Sequence, residues 1–210
     1  MRTDPGRVSL RVQGPMALFT RPEFKVERVS YDVLTATAAV GILESILWKP
    51  EFSWQIREIK VLRPIRFLSV RRNEVTTGFP VRLSAELPAL DISNSENRVQ
   101  RHSMLLRDVD YVIEAWIALT QKGIDGGNTV GKYAEIFNRR VSKGQFFRVP
   151  CLGCREFPAT VTHTEADLEP IKEDRVLGLM PLVMVYGDAG PVPRFFSAIM
   201  KQGVIQLPAP

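Results

Sequence analysis

The sequence is poor in the residues most often used to staple a fold or run catalysis. Its 210 residues include two cysteines, Cys151 and Cys154, and two histidines, His102 and His163. Two cysteines exclude a disulfide-built secreted scaffold. Their Cys-Leu-Gly-Cys spacing is half of a zinc site or a thiol redox centre, but no second CxxC follows and two histidines do not readily complete four ligands. The pair is read as structural, and no metal is expected. A Ser or Cys nucleophile needs a base, usually histidine, and neither histidine sits in a supporting motif, so a triad hydrolase fits poorly. GxxxxGK[ST] and GxGxxG are both missing, which removes the motif argument for nucleotide-cofactor chemistry. The longest apolar stretch, residues 176–186, falls well short of the ~18 residues that suggest a membrane span. Residues 1–14 lack the apolar core of a signal peptide. A cytoplasmic chain with no membrane partner is expected.

Lysine is also scarce, with 8 against 20 arginines. Arginine offers a planar fork that grips phosphate at two points and stacks on rings, whereas lysine is a point charge. The net charge of +5 says little by itself, because total charge governs solubility and nonspecific attraction. Its placement says more. Residues 49–72 hold seven basic and two acidic side chains and residues 98–148 hold nine and five, but residues 73–97 hold one and four and residues 149–210 hold five and seven. A polyanion site is expected on the N-terminal two thirds.

With 45% hydrophobic and 24% charged residues, the chain can build one medium domain or two small ones sharing a core. Residues 8–12 read as a strand ending at Gly14-Pro15. A helix follows from Thr35, with Ala39, Ile42, Leu43 and Ile46 at helical spacing, and Pro50 stops it. Residues 54–62 and 65–70 read as strands, and residues 73–97 as a long loop with no sustained period. Residues 111–119 alternate as a strand. Val130, Tyr133, Ala134, Phe137 and Val141 define a second helix, with Asn128 or Thr129 as its cap and Gly144 as its stop. Residues 157–163 and 176–186 are further strands, and residues 195–207 close the chain as a hairpin or a short helix and strand around Gly203. Up to about residue 150 this order matches the split βαβ, ferredoxin-like (RRM-like) arrangement, one of the sheets that bind single-stranded RNA.

Two features point to nucleic acid. Arginines cluster at Arg63, Arg66, Arg71 and Arg72 and again at Arg139-Arg140, with Lys49 beside Trp48, and interleaved cations and aromatics are what splayed bases and their phosphates require. Arg139 and Arg140 also suit a helix C-terminus on dipole grounds alone. Lys132 and Tyr133 open the second helix after Gly126-Gly127 and Gly131. A glycine-bearing loop entering a helix aims backbone N–H groups at an anion, though it is equally the form of an ordinary flexible loop before a capped helix.

Several ordered blocks carry a resemblance. Residues 19–33, Gly41-Ile42-Leu43-Glu44-Ser45-Ile46-Leu47-Trp48-Lys49-Pro50, Val61-Leu62-Arg63-Pro64-Ile65, residues 71–75, residues 106–115, Phe137-Asn138-Arg139-Arg140 and residues 151–159 resemble the Cas-five family of CRISPR-associated proteins, Dvulg subtype, of type I-C systems and the RAMP superfamily. The resemblance runs over roughly residues 8–207. It implies an α+β chain with a ferredoxin-like RNA-binding domain over residues 1–146 and a smaller antiparallel β-rich domain over residues 147–210.

It further implies a cofactor-free, metal-independent endoribonuclease that cuts within the repeat of the CRISPR precursor transcript. The 2′-hydroxyl attacks the neighbouring phosphate, leaving a 2′,3′-cyclic phosphate and a 5′-hydroxyl. The protein then stays on the 5′ handle of the guide RNA, alongside the other subunits of the type I-C interference complex. Such chemistry needs a base, a cation for the phosphorane and an acid for the leaving oxygen. Members of the family place a Tyr or His just after the first helix and a Lys-His pair at the start of the second, and these positions are here Leu47, Lys132 and Tyr133. The implied catalytic set is Lys132 as phosphorane stabiliser, Tyr133 as proton donor, and Tyr31 (or His102) as substitute base. A phenol with an ordinary pKa of about 10 is a sluggish base. The implied RNA contacts are Lys49, Arg71, Arg72, Arg139 and Arg140. The competing reading is a non-catalytic subunit that clamps a 5′ handle cut elsewhere.

Overall fold

The structure, a computed structural model, describes residues 4–24, 26–76, 93–164, 168–187 and 190–208. In chain order its elements are β1 (Arg7–Ala17), β2 (Arg28–Val29), α1 (Ala36–Ile46), β3 (Phe52–Val61), β4 (Phe67–Val75), a 3-10 turn (Ser95–Asn97), β5 (Arg98–Leu119), α2 (Gln121–Asp125), α3 (Val130–Lys143), β6 (Thr160–His163), β7 (Arg175–Gly187), β8 (Gly190–Lys201) and β9 (Val204–Gln206). The strands join one sheet in the order β6-β1-β5-β3-β9-β8-β7, with β2 and β4 added to β5. Among the described ladders only the two-residue β2–β5 pairing is parallel. The class is α+β and mostly antiparallel.

Strand β5 organises the sheet. Its 22 residues pair first with β4, then with β1, and finally with both β1 and β3. From Val109 to Ala115 every residue is buried, as a central strand requires. The expected strand 111–119 is thus only the second half of β5. Its first half, Arg98–Leu106, pairs with β4 as a ribbon and, at Ser103 and Met104, with β2, and it opens on the mostly polar run Arg98-Val99-Gln100-Arg101-His102, which has no apolar face to read. The expected loop over 73–97 is corrected at both ends, because Asn73, Glu74 and Val75 extend β4 and Ser95–Asn97 form the 3-10 turn. Residues 77–92 of that segment lie outside the described residues.

Other strand limits also move. Gly14-Pro15 does not end β1, whose register continues from Gly14↔Val109 to Met16↔Arg107. Pro15 lies opposite Asp108, which takes a φ of 53°, and beyond the short β6 ladder, where a missing N–H removes no second-side bond. The strand expected over 65–70 starts at Phe67 instead, and that expected over 157–163 is confined to Thr160–His163 because Cys151 and Pro158 bridge across the preceding turn. A bulge between Ile56 and Glu58 switches the inward parity of β3 from Phe52, Trp54 and Ile56 to Ile59 and Val61. This explains why neither parity was wholly apolar in sequence. The closing segment is a hairpin of β8 and β9 through Gly203.

Helices α1 and α3 bury their apolar stripes against the sheet, α1 over β3 and β7 and α3 over β5, β6 and β1. Thr35 caps α1 by accepting from the Ala38 N–H, and Thr129 caps α3 by accepting from the Lys132 N–H. Gly144, at φ 60°, ends α3 in the left-handed region. Phe137, Ile42, Leu43 and Ile46 are fully buried in the shared core. Both helices therefore present fixed ends on the same side of the sheet.

Candidate active site and nucleic-acid interface

The first turn of α3 is held in place from below and behind. Lys132 is exposed, its backbone N–H occupies the Thr129 cap, and its Nζ donates to Asn128 Oδ1 at 2.8 Å. Nζ lies 5.5 Å from the centre of the Tyr133 ring. Tyr133 is only 4% exposed and packs on Phe52, ring centres 4.8 Å apart. Burial, with the Glu51 carboxylate nearby, pushes its phenol above the ordinary value. At neutral pH it keeps its proton, so it can donate but is a poor acceptor of a 2′-hydroxyl proton.

An aromatic run connects this turn to the end of α1. Phe137 meets Trp54 at 5.0 Å, Trp54 meets Phe52 at 5.2 Å, and Phe52 meets Tyr133. The Trp54 indole N–H donates to the Leu47 carbonyl at 3.1 Å. Leu47 is 1% exposed, so the side chain at this position is turned into the core. It carries no group able to move a proton. The next two residues emerge at the surface, Trp48 at 59% exposure and Lys49 exposed beside it. Their loop is clamped to the turn before α3: the Thr120 N–H donates to Glu51 O at 2.9 Å and its hydroxyl to Pro50 O at 2.8 Å. Gly123 permits that approach, since a Cβ there would collide with the Glu51 carbonyl oxygen. Lys49, Lys132 and Tyr133 are thus gathered at the end of the sheet where Phe52 faces Leu119.

The arginines divide sharply. Arg140 donates to Ile46 O at 2.7 Å, completing the C-terminus of α1, while Arg139 is exposed with no ion pair among the described residues. On the ribbon, Arg71 is exposed opposite His102. Arg72 reaches Glu74 at 2.7 Å and Glu156 at 3.8 Å. Glu74 also meets Arg28 at 3.4 Å and Arg101 at 3.6 Å, so three guanidiniums share one carboxylate. The Nε atoms of Arg72 and Arg101 are buried with no hydrogen-bond partner among the described residues. Sequence reading missed Arg28 and Arg101, which come together only through the β2–β5 and β4–β5 registers. It also missed Arg148, whose N–H donates to Ser45 O at 3.1 Å beside the exposed Phe147.

Tyr31 is not brought to this end. It is 2% exposed, bonded through its N–H to Phe19 O, and roofed by Arg21 at 4.5 Å. Its neighbour Ser30 donates to the Met104 carbonyl, 15 positions before Leu119, a contour of about 50 Å along β5 at ~3.3 Å per residue. Burial raises its phenol as well. His102 lies on the ribbon, similarly remote from Lys132 along β5. Both cysteines are free and half-buried, and burial pushes the Cys154 thiol up. Among the described residues no three His, Cys, Asp or Glu side chains are grouped to hold a metal ion. No described helix is long and apolar enough to cross a membrane.

Residues 8–208 match the family model for CRISPR-associated protein (Cas_Cas5), Cas5d type. A protein of Mannheimia succiniciproducens named CRISPR pre-crRNA endoribonuclease Cas5d is 43% identical over 216 residues, covering 96% of this chain and 95% of the relative. The Thermus thermophilus protein of the same name is 37% identical over 221 residues, covering 97% and 92%. Among solved structures, a CRISPR-associated protein superposes with a TM-score of 0.71 at 25% identity, over 97% of this chain and 92% of that one. A chain of a CRISPR RNA-guided surveillance complex shares the fold at a TM-score of 0.51 and 12% identity, over 97% and 89%. With a family model spanning nearly all of it and two relatives well above 30% identity, the chain belongs to the Cas5d branch of the CRISPR-associated Cas5 family.

Proposed function

We propose that this protein is a pre-crRNA endoribonuclease that cuts within the CRISPR repeat and keeps the 5′ handle as a subunit of an RNA-guided interference complex. The observation that carries the reading is Lys132, an exposed cation fixed by Asn128 in the first turn of a 14-residue helix. A helix N-terminus and an ammonium group together favour the extra negative charge of a phosphorane. In the reaction the 2′-oxygen bonds to phosphorus as its proton passes to solvent water, and the bond to the 5′-oxygen breaks as that oxygen takes a proton from Tyr133, whose phenol is then reprotonated from solvent. Lys132 stabilises the doubly charged intermediate. Tyr133, protonated at working pH, supplies the leaving-group proton to an oxygen held directly against it. Lys49, Arg139 and Arg71 grip the RNA backbone, and the ferredoxin-like arrangement of residues 1–146, with residues 147–210 as the smaller β-rich part, is the scaffold in this reading.

Leu47 favours a second reading, a clamp for a 5′ handle cut by another enzyme, because no base stands at that position. Incubation of the purified protein with its cognate repeat RNA in excess EDTA separates the two. Cleavage to a 2′,3′-cyclic phosphate, abolished by a 2′-deoxy substitution at the scissile nucleotide, is expected. Saturable binding with no cleavage establishes the clamp.

A further inference from the structure

A groove runs along the exposed side of α1, apart from the Lys132 turn. It encloses about 470 Å³ and is lined by Thr37, Ala38, Gly41 and Ser45 on one side and by Arg148, Val149, Cys151, Gly153 and Arg155 on the other. The helical wall runs from Thr37 to Ser45, eight residue steps or about 12 Å at ~1.5 Å per residue. The opposite wall is held firmly. The Phe147 and Arg148 N–H groups both donate to Ser45 O, at 2.9 and 3.1 Å, and fully buried Leu152 exchanges backbone bonds with Leu18 and Phe157. A space of this size lies within the range of sites for small organic ligands.

Gly41 identifies the groove as more than a surface irregularity. A glycine inside a helix is destabilising relative to alanine, and one usually survives there by admitting a packed neighbour. A Cβ at Gly41 would meet nothing within 4 Å, so no other part of the described chain needs the space. The two side walls give the occupant its chemistry. Among the described residues no acidic side chain lines the groove, and Arg155 is exposed with no ion pair. Glu44, whose carboxyl feels the Arg148 charge, lies outside the lining. Phe147, 76% exposed, stands next to Arg148 with its ring centre 6.0 Å from the guanidinium. Two arginines and an exposed ring are suited to a phosphate and its base.

We propose that this groove holds a nucleotide of the bound RNA, with its phosphate on Arg148 and Arg155. The assignment rests on the RNA-processing reading above and extends it, because Ser45 at the end of the groove is followed within a turn by Trp48 and Lys49. The bound strand therefore passes from the Lys132 end across Lys49 and along α1.

Gly41→Leu tests this without touching the core, since the new side chain enters only the groove and the residue change favours the helix. Binding and cleavage of the cognate repeat RNA are measured for the wild type, Gly41→Leu, Gly41→Ala and the double variant Arg148→Ala/Arg155→Ala. Gly41→Leu is expected to weaken RNA binding at least tenfold while its melting temperature stays level or rises. Gly41→Ala, which adds a single methyl group, should bind within threefold of wild type. The double variant should lower the slope of log K against log salt by about 0.7, the one phosphate that both arginines hold on a single strand. Gly41→Leu binding RNA within twofold of wild type overturns the assignment. So does a Gly41→Leu protein that binds and cuts RNA normally but no longer joins its partner subunits, which marks a protein-docking groove. A wild-type protein that does not bind repeat RNA refutes the underlying function instead.

Discussion

Replacing Lys132 by alanine isolates the charge on which the proposed chemistry depends. The side chain is exposed, bonded to Asn128 and lying over the Tyr133 ring. Its removal leaves the Thr129 cap and the aromatic run intact, so stability should change by no more than about 0.5 kcal/mol. Loss of a donor aimed at developing transition-state charge costs about 2.7–4 kcal/mol, a factor of ~10²–10³ in rate. Loss of one phosphate contact changes the salt slope of binding by only ~0.7. Cleavage should therefore fall a hundredfold or more while affinity changes far less. The assay is single-turnover cleavage with protein in excess over repeat RNA, so that the observed rate reports chemistry, alongside binding over a salt series. Asn128→Ala keeps the charge but removes its anchor, and should lose about tenfold by letting the ammonium wander. If Lys132→Ala cleaves within threefold of wild type at saturation, the phosphorane is stabilised elsewhere and the site is misplaced.

Two other predictions follow from the aromatic run. Trp54→Phe withdraws the indole N–H from the Leu47 carbonyl and shrinks a ring in contact with both Phe52 and Phe137. An abandoned buried acceptor costs about 1–3 kcal/mol. At about 2–4 °C per kcal/mol for a chain of this length, thermal melting should fall by several degrees, and an unchanged transition refutes the bond. The Tyr133 phenol is raised by burial and by Glu51, so the folded chain holds that proton more tightly than the unfolded one. The resulting stabilisation is complete below pH ~10 and is lost as pH climbs through the raised value. Tyr133→Phe should flatten part of the alkaline fall in stability, with Tyr31 and Tyr111 still contributing, and an alkaline limb identical to wild type refutes the assignment.

The two long helices were legible because each signals itself locally, by a threonine cap, a 3.6-residue apolar period, and Pro50 or Gly144 beyond the end, whereas the five-residue α2 is too short to show a period. The strands were harder because their limits depend on partners. In β3 the bulge after Ile56 reverses the inward parity within a single strand, and a sequence with two half-patterns looks like one poor pattern. The first half of β5 opens with Arg98, Gln100, Arg101 and His102 and is buried only at Ser103, Leu105 and Leu106, so it carries no sustained apolar alternation to read. Pro15 and Asn73 read as breaks, but each sits where the ladder tolerates it. For the site, Lys132 and Tyr133 were found because the cap, the glycines and the lysine are consecutive. The Leu47 position was found only by resemblance, since no periodicity separates a buried leucine that replaces a functional residue from any other core leucine.

The same distinction governs the arginines, and it changes what their number means. Counting them locates a basic surplus but treats every guanidinium alike. In the fold, Arg11 is bonded twice to buried Asp110, Arg140 closes the end of α1, and Arg72 is shared between Glu74 and Glu156. These side chains have largely spent their donors on the protein itself. Arg140 shows the cost of reading motifs by density: the Arg139-Arg140 pair looks like one phosphate grip, but helical geometry turns one member inward to a carbonyl and leaves the other in solvent. Arg148 and Arg155 show the reverse, because they lie apart in sequence, one on either side of the start of the mildly acidic last third, and gain a common purpose only when Arg148 is bonded to α1 through Ser45. An RNA-binding surface in this protein is therefore defined by the arginines that secondary structure leaves unused, and the glycine at position 41 marks where that surface has depth.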